Sequence, residues 1–229
     1  MSIEYDFQIS DDVQLSYVVD VDRVYDTKLD HSHAPEWTRL EYQQCSNCPL
    51  SRDEYSHCPV AIDLQDVIGD FQKLPAFKKA MVTVKTPERE YRKQVGLEEG
   101  LRALMGVIMA TSACPILGEL KPMAKHHLPF TSIDEFVLRS VSLYLIQQYF
   151  VAKDGGEPDW ELKGLVERNQ KLQLLNQAFW QRVHVASEGD SNLKALLSFF
   201  TMSSSVSFSL EAQLQKVKPW FTKEFNIDL

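Results

Sequence analysis

Cys45, Cys48, Cys58 and Cys114 are the only four cysteines in a chain of 229 residues. Cys45-Ser46-Asn47-Cys48 places two thiols on one tight turn, close enough to share an ion. Cys58 follows a short way on, and Cys114 comes from a distant segment. Two ligands on a turn, one nearby and one remote make up the donor pattern of a protein metal site. The spacing therefore predicts one four-sulfur centre. Two other readings stand beside it: four small buried hydrophobes, or a Cys45–Cys48 redox pair. Zinc is the commonest occupant of four thiolates. Three of the cysteines, however, precede Pro49, Pro59 and Pro115, and proline removes a backbone N–H that a zinc knuckle would aim at sulfur. Cysteine-proline beside Leu50, Val60 and Ile116 also suits an iron–sulfur site. Zinc and a [4Fe–4S] cluster stay open as equals. His57 is a weaker substitute ligand, because it competes for space with Cys58.

Other side chains offer chemistry with less support. His31 and His33 on an extended segment would put both rings on one side, but two histidines without a third ligand make a poor site. In the Pro122–Phe130 segment, Lys125 and His127 could line a pocket beside the metal, with Glu41 or Glu119 as carboxylate partner. Such a group would bind an anion or move a proton. The plainer reading is a packed connector whose histidine caps a carbonyl. No P-loop, HExxH, dinucleotide fingerprint or Ser-His-Asp order selects a reaction class. Three functions compete. One is a closed structural metal in a binding or regulatory protein. Another is an iron–sulfur redox or sensing protein, and the third is a metal-dependent enzyme using Lys125 and His127.

Composition narrows the partners. The net charge of −8 opposes a phosphate backbone, so no nucleic-acid partner is expected. The opening Met1-Ser2-Ile3-Glu4 has neither a basic nor an apolar region of a signal peptide. The longest near-apolar run, around Ala103 to Ala110, is too short to span a bilayer, so no membrane partner is expected. A cytoplasmic location follows as the expectation. A reducing compartment favours metal or redox roles for the thiols over disulfides.

The elements that must position these residues are legible from periodicity. Ile3, Tyr5, Phe7 and Ile9 alternate with polar residues, Ser10-Asp11-Asp12 turns the chain, and Val13 to Val21 alternate again: a β-hairpin. Trp37–Gln43 reads as a third strand running into Cys45. Residues 44–62 read as a metal loop, with a helix starting at Asp63 as N-cap. Ala80–Lys85 and Glu90–Lys93 read as two more strands, and Leu97–Thr111 as a helix. Ser132-Ile133-Asp134-Glu135 is a capping box opening a long helix. Further helices are expected over 159–186 and 191–216, the last kinked at Ser203-Ser204-Ser205. The fold class is α+β: a small mixed or antiparallel N-terminal sheet of about five strands with a metal-binding loop, then a C-terminal helical bundle. A single domain, 1–229, is expected, with a β-rich half 1–95 and a helical half 96–229. Phe199, Phe200, Phe208, Trp220 and Phe221 make the last helix aromatic enough to serve a protein partner or a homo-oligomer, although burial within the monomer is simpler.

Several motifs, taken together, carry a resemblance. They are Thr38-Arg39-Leu40-Glu41, Cys45-x2-Cys48-Pro49-Leu50, His57-Cys58-Pro59-Val60-Ala61, Cys114-Pro115 and Pro122-Met-Ala-Lys-His-His-Leu-Pro-Phe130. With Gly156-Glu-Pro-Asp-Trp-Glu-Leu162 they resemble an uncharacterised family of bacterial proteins, a domain of unknown function, over most of the chain. The resemblance implies that the four cysteines and the Pro122–Phe130 segment belong to one shared core. It implies no activity, substrate or metal. His126 stands where the resemblance leads one to expect an aromatic, which leaves His127 as the histidine of interest.

Overall fold

The computed structural model describes residues 1–24, 31–187 and 189–222. Four strands form one antiparallel sheet in the order β2-β1-β3-β4: β1 (Ser2–Ser10), β2 (Val13–Asp20), β3 (Lys79–Lys85) and β4 (Glu90–Gly96). The period-2 pattern has its physical cause in this sheet. Ile3, Tyr5, Phe7, Ile9, Val82 and Val84 point to one buried face. Glu4, Asp6 and Gln8 point away from it.

Two helices cover the buried face. α1 (Pro59–Phe71) presents Leu64, Val67, Ile68 and Phe71, and α2 (Leu97–Thr111) presents Leu97, Leu101, Leu104 and Met105. Phe7 meets Phe71 edge-on at 5.2 Å. A methyl added at Gly100 would lie 2.7 Å from Phe7 and 3.0 Å from Val82, so this glycine lets α2 press onto the sheet. Two short helices follow, α3 (Pro115–Gly118) and α4 (Lys121–Lys125). Then come α5 (Ile133–Lys153), α6 (Lys163–Ala186) and α7 (Ser191–Thr222). Ser132 and Glu135 form the expected capping box at the start of α5. Gly155 (φ 82°) ends that helix in the left-handed conformation, with its N–H on the Ala152 carbonyl.

The chain packs as two compact units. The first is Met1–Phe130 with Leu174–Phe199, and the second is Thr131–Gln173 with the described residues from Phe200 on. In the first, the start of α7 is fastened to α1: Ser191 Oγ–H donates to the Phe71 carbonyl (2.8 Å) and Asn192 Nδ2–H to that of Ile68 (3.0 Å). These bonds satisfy carbonyls that the last turn of a helix leaves without intrahelical partners. In the second, Phe136, Val137, Val141, Tyr144, Leu165, Leu172, Met202, Val206 and Leu210 are buried. Among the described residues no single helix is long and apolar enough to cross a membrane.

Five expectations need correction. The sheet has four strands, because Trp37–Gln43 is not one of them. It forms a 3-10 turn (Glu36–Thr38) and further turns, with a single bridge between Arg39 and His57. Its alternation is nevertheless real, since Thr38 and Leu40 are buried while Arg39 and Glu41 are exposed. α1 begins at Pro59, inside the stretch taken as loop. Pro59 holds the first helical position, where a missing N–H costs nothing. Asp63 is therefore no cap; its carboxylate is forked by Arg23. Pro122 and Pro129 lead one to expect an extended or turned connector, but its Lys121–Lys125 part is helical, with Pro122 in the first turn where it is tolerated. α6 starts at Lys163 rather than 159, because the Asp159 carboxylate stays outside the helix and accepts from the Gly164 N–H and the Tyr144 hydroxyl, both at 2.8 Å. α7 departs from helical geometry at Ser209 (φ −140°, ψ 26°) rather than at Ser203–Ser205. The Ser205 and Ser209 hydroxyls bond back to carbonyls four residues earlier, which bends helices.

Candidate metal centre

Cys45 and Cys48 sit on the tight turn that their spacing implies, with the Cys48 N–H on the Cys45 carbonyl (3.0 Å). The ends of the surrounding loop are tied together. The Leu40 N–H reaches the Ser56 carbonyl (3.1 Å) and the Cys58 N–H reaches that of Thr38 (2.8 Å). Thr38 closes its own turn through Oγ1–H to the Pro35 carbonyl (2.6 Å). The loop is thus a closed ring of chain with cysteines on its inner side.

Cys58 is the N-cap of α1 and Cys114 the N-cap of α3. Each is followed by proline at the first helical position. The N–H groups of Val60 and Ala61 favour the charged form of Cys58 and those of Ile116 and Leu117 that of Cys114, although neither sulfur closes a capping hydrogen bond. Pro59 and Pro115 remove none of these N–H groups.

All four cysteines line one cavity of about 20 Å³. Its other walls are Pro49, Leu50, Pro59, Val60, Ile116, Leu175 and Phe179, and so are apolar. The room exceeds the ~10–15 Å³ that a single water needs. Burial pushes the Cys45 thiol up to about 12, reinforced by the charges of the other three cysteines and opposed by Arg182. Burial also pushes Cys114 up to about 11, against the pull of the Leu117 and Ile116 N–H groups. With nothing bound, these sulfurs are protonated at neutral pH. Cys45 Sγ–H then faces the Leu175 carbonyl at 3.9 Å.

Arg182 of α6, which the sequence reading missed, clamps the turns that lead to Cys45. It is 2% exposed. Nη1–H donates to the Trp37 (2.7 Å) and Arg39 (2.6 Å) carbonyls, and Nη2–H to that of Leu40 (3.2 Å). Its guanidinium carbon lies 6.0 Å from the centre of the Tyr42 ring. An arginine interrupting the apolar stripe of Leu172, Leu175, Phe179 and Val183 was the available signal.

The remaining candidates lie elsewhere. Glu41, Lys125 and His127 do not line the cavity. Glu41 pairs with Arg39 (3.6 Å), Lys125 with Asp22 (2.9 Å), and His127 Nε2 meets the buried Tyr5 hydroxyl. His31 sets its ring edge-on to His57 (5.8 Å), and His33 is exposed. Of the aromatic residues near the C-terminus, Phe199 is buried, while Trp220 and Phe221 are about half exposed. Among the described residues, no group of three or more His, Cys, Asp or Glu side chains is arranged to hold a metal ion.

Comparison with curated proteins and with solved structures finds no match. A family model described as Domain of unknown function (DUF6901) matches residues 3–222, nearly the whole of the region just described, and the chain therefore belongs to that family.

Proposed function

We propose that Cys45, Cys48, Cys58 and Cys114 hold a metal centre, and that this centre is a [4Fe–4S] cluster serving one-electron transfer or sensing. One observation carries the reading: the 45–58 loop and the distant Cys114 turn all four thiols onto one apolar cavity. Four cysteines acting only as small hydrophobes have no reason to converge. The choice of occupant rests on the surroundings of the sulfurs: proline directly after Cys48, Cys58 and Cys114, apolar walls, and helix-start N–H groups near Cys58 and Cys114, which are the means by which a protein tunes such a cluster. No catalytic step is assigned, because Glu41, Lys125 and His127 stand away from the cavity.

The test is to purify the chain without oxygen, record its absorption spectrum, and measure iron, acid-labile sulfide and zinc. A brown protein with about four iron and four sulfide per chain is expected. A colourless protein with one zinc overturns the cluster and leaves a structural tetrathiolate. A metal-free protein overturns the centre altogether.

A further inference from the structure

α5 carries apolar residues on more than one face, and only one face is covered. Val137, Val141, Tyr144 and Gln148 are buried in the second compact unit. On the outer side Ile146 is 53% exposed, Tyr149 51% and Phe150 58%. Leu138, Leu143 and Leu145 flank them and are partly exposed. A contiguous apolar face of this kind marks a place where another surface packs. Glu135, Arg139, Ser142, Ile146, Tyr149 and Lys153 run along its middle at steps of four, three, four, three and four residues. That is the spacing of a coiled-coil seam.

We infer that this face is the interface of a homodimer, in which α5 of one protomer packs antiparallel on α5 of its partner across a two-fold axis. The spacing of the seam reads the same in both directions, so an antiparallel copy presents a seam residue to every seam residue. The reversal sets the acidic first turn, Asp134 and Glu135, against the basic Lys153 of the last turn, at both ends of the pair. It sets Arg139 against the Tyr149 ring, a cation–π arrangement, and the small Ser142 against Ile146 near the axis. Lys153 Nζ lies 5.5 Å from the centre of the Tyr149 ring of its own chain, which keeps it on the seam. A parallel pairing would stack Glu135 on Glu135 and Lys153 on Lys153, and like charges would oppose it. The two-fold arrangement closes at two copies and covers both apolar faces at once. A partner of another kind would need no such palindrome of charge and size.

The experiment uses the full-length chain in two measurements. Sedimentation velocity over a range of concentrations gives the mass, and a carbodiimide cross-link gives the register. The carbodiimide joins a carboxylate directly to an amine: the amide bond forms as the activated carboxylate oxygen leaves within a urea, and no spacer is added. Along one helix Glu135 and Lys153 stand about 27 Å apart, so a direct link between them comes only from a second copy. The expected result is a mass near twice the 26.3 kDa of one chain, with a cross-linked peptide joining Asp134 or Glu135 to Lys153. Ile146→Lys, which buries a charge beside the axis, should weaken the dimer about tenfold or more and leave the circular dichroism spectrum unchanged. A chain that stays monomeric up to about 100 µM overturns the inference. So does a dimer that lacks this cross-link, or one that Ile146→Lys leaves unmoved. If Ile146→Lys yields no soluble protein, the wild-type cross-link decides alone: its presence supports the antiparallel pair and its absence overturns it.

Discussion

At the scale of single residues, the thiols were visible in the sequence and the arginine was not. Cys45-x2-Cys48 announces itself by spacing, and the Cys58-Pro59 and Cys114-Pro115 pairs announce helix starts once proline is read as a first helical residue. Arg182 lies far along the chain, and its role depends on carbonyls that only the folded loop presents. Cys114 offers the sharpest residue-level test, because it is the most buried of the four and comes from its own segment. Replacing it by serine leaves a hydroxyl that does not ionise at neutral pH, so the proposed centre loses a ligand. Cys114→Ser is expected to retain well under half of the wild-type metal, and Cys114→Ala the same. Were the thiol only a core group, both variants would keep full metal content. Alanine would then cost the fold only ~1–2 kcal/mol for the lost contacts. Metal analysis and thermal melts on the same preparations separate the two cases.

At the scale of elements, periodicity succeeded where an element packs one face on a neighbour. It failed where backbone groups are spent on something remote. The hairpin, α2 and α5 follow their patterns closely. Residues 37–43 alternate as a strand should, yet no strand lies alongside, because the carbonyls of Trp37, Arg39 and Leu40 go to Arg182. Gly100 tests the packing of α2. Alanine there gains up to ~1 kcal/mol of helix propensity, but its methyl would meet the Phe7 ring at 2.7 Å. Phe7 is fully buried and cannot swing away. Overpacking of this kind costs about 1–3 kcal/mol, so the clash wins. Gly100→Ala is expected to lower the melting temperature by several degrees; an unchanged or raised value would show that α2 does not press on the sheet. The junction before α7 gives a pH test. Asp190 is held below the usual carboxylate range, first by Lys194 and then by the Ala76 N–H at 2.8 Å. Its folded value is the lower one, so its stabilisation is present above the unfolded value of about 4 and disappears as pH falls below it. The pair is half exposed, which limits the effect to about 1 kcal/mol. Asp190→Asn should therefore melt lower than wild type at pH 7, and the gap should close as pH falls through and below the carboxylate range. A gap that persists unchanged in acid would assign the effect to packing.

At the scale of the whole molecule, a reading of strands first and helices later captures the fold class. It does not show that the cysteine-bearing unit needs a piece of the helical half. Leu174–Phe199 belongs to the same compact unit as Met1–Phe130. From this piece Leu175 and Phe179 wall the cavity, and Arg182 clamps the loop. Leu175, Phe179, Val183 and Leu196 are all nearly or fully buried. Their burial is worth on the order of 8 kcal/mol together at about 2 kcal/mol each. That is comparable with the whole net stability of a domain, about 5–15 kcal/mol. A fragment ending at Phe130 keeps every cysteine and the entire sheet, yet it is expected neither to fold nor to hold metal. Adding a separate peptide of residues 174–199 should restore some solubility, because it returns the missing wall and the missing clamp. The comparison is made by metal content and circular dichroism of the fragment, the mixture and the full chain. A fragment 1–130 that folds cooperatively and binds the same metal as the full chain would show that the cysteines suffice, and that α6 lies against the site without supporting it.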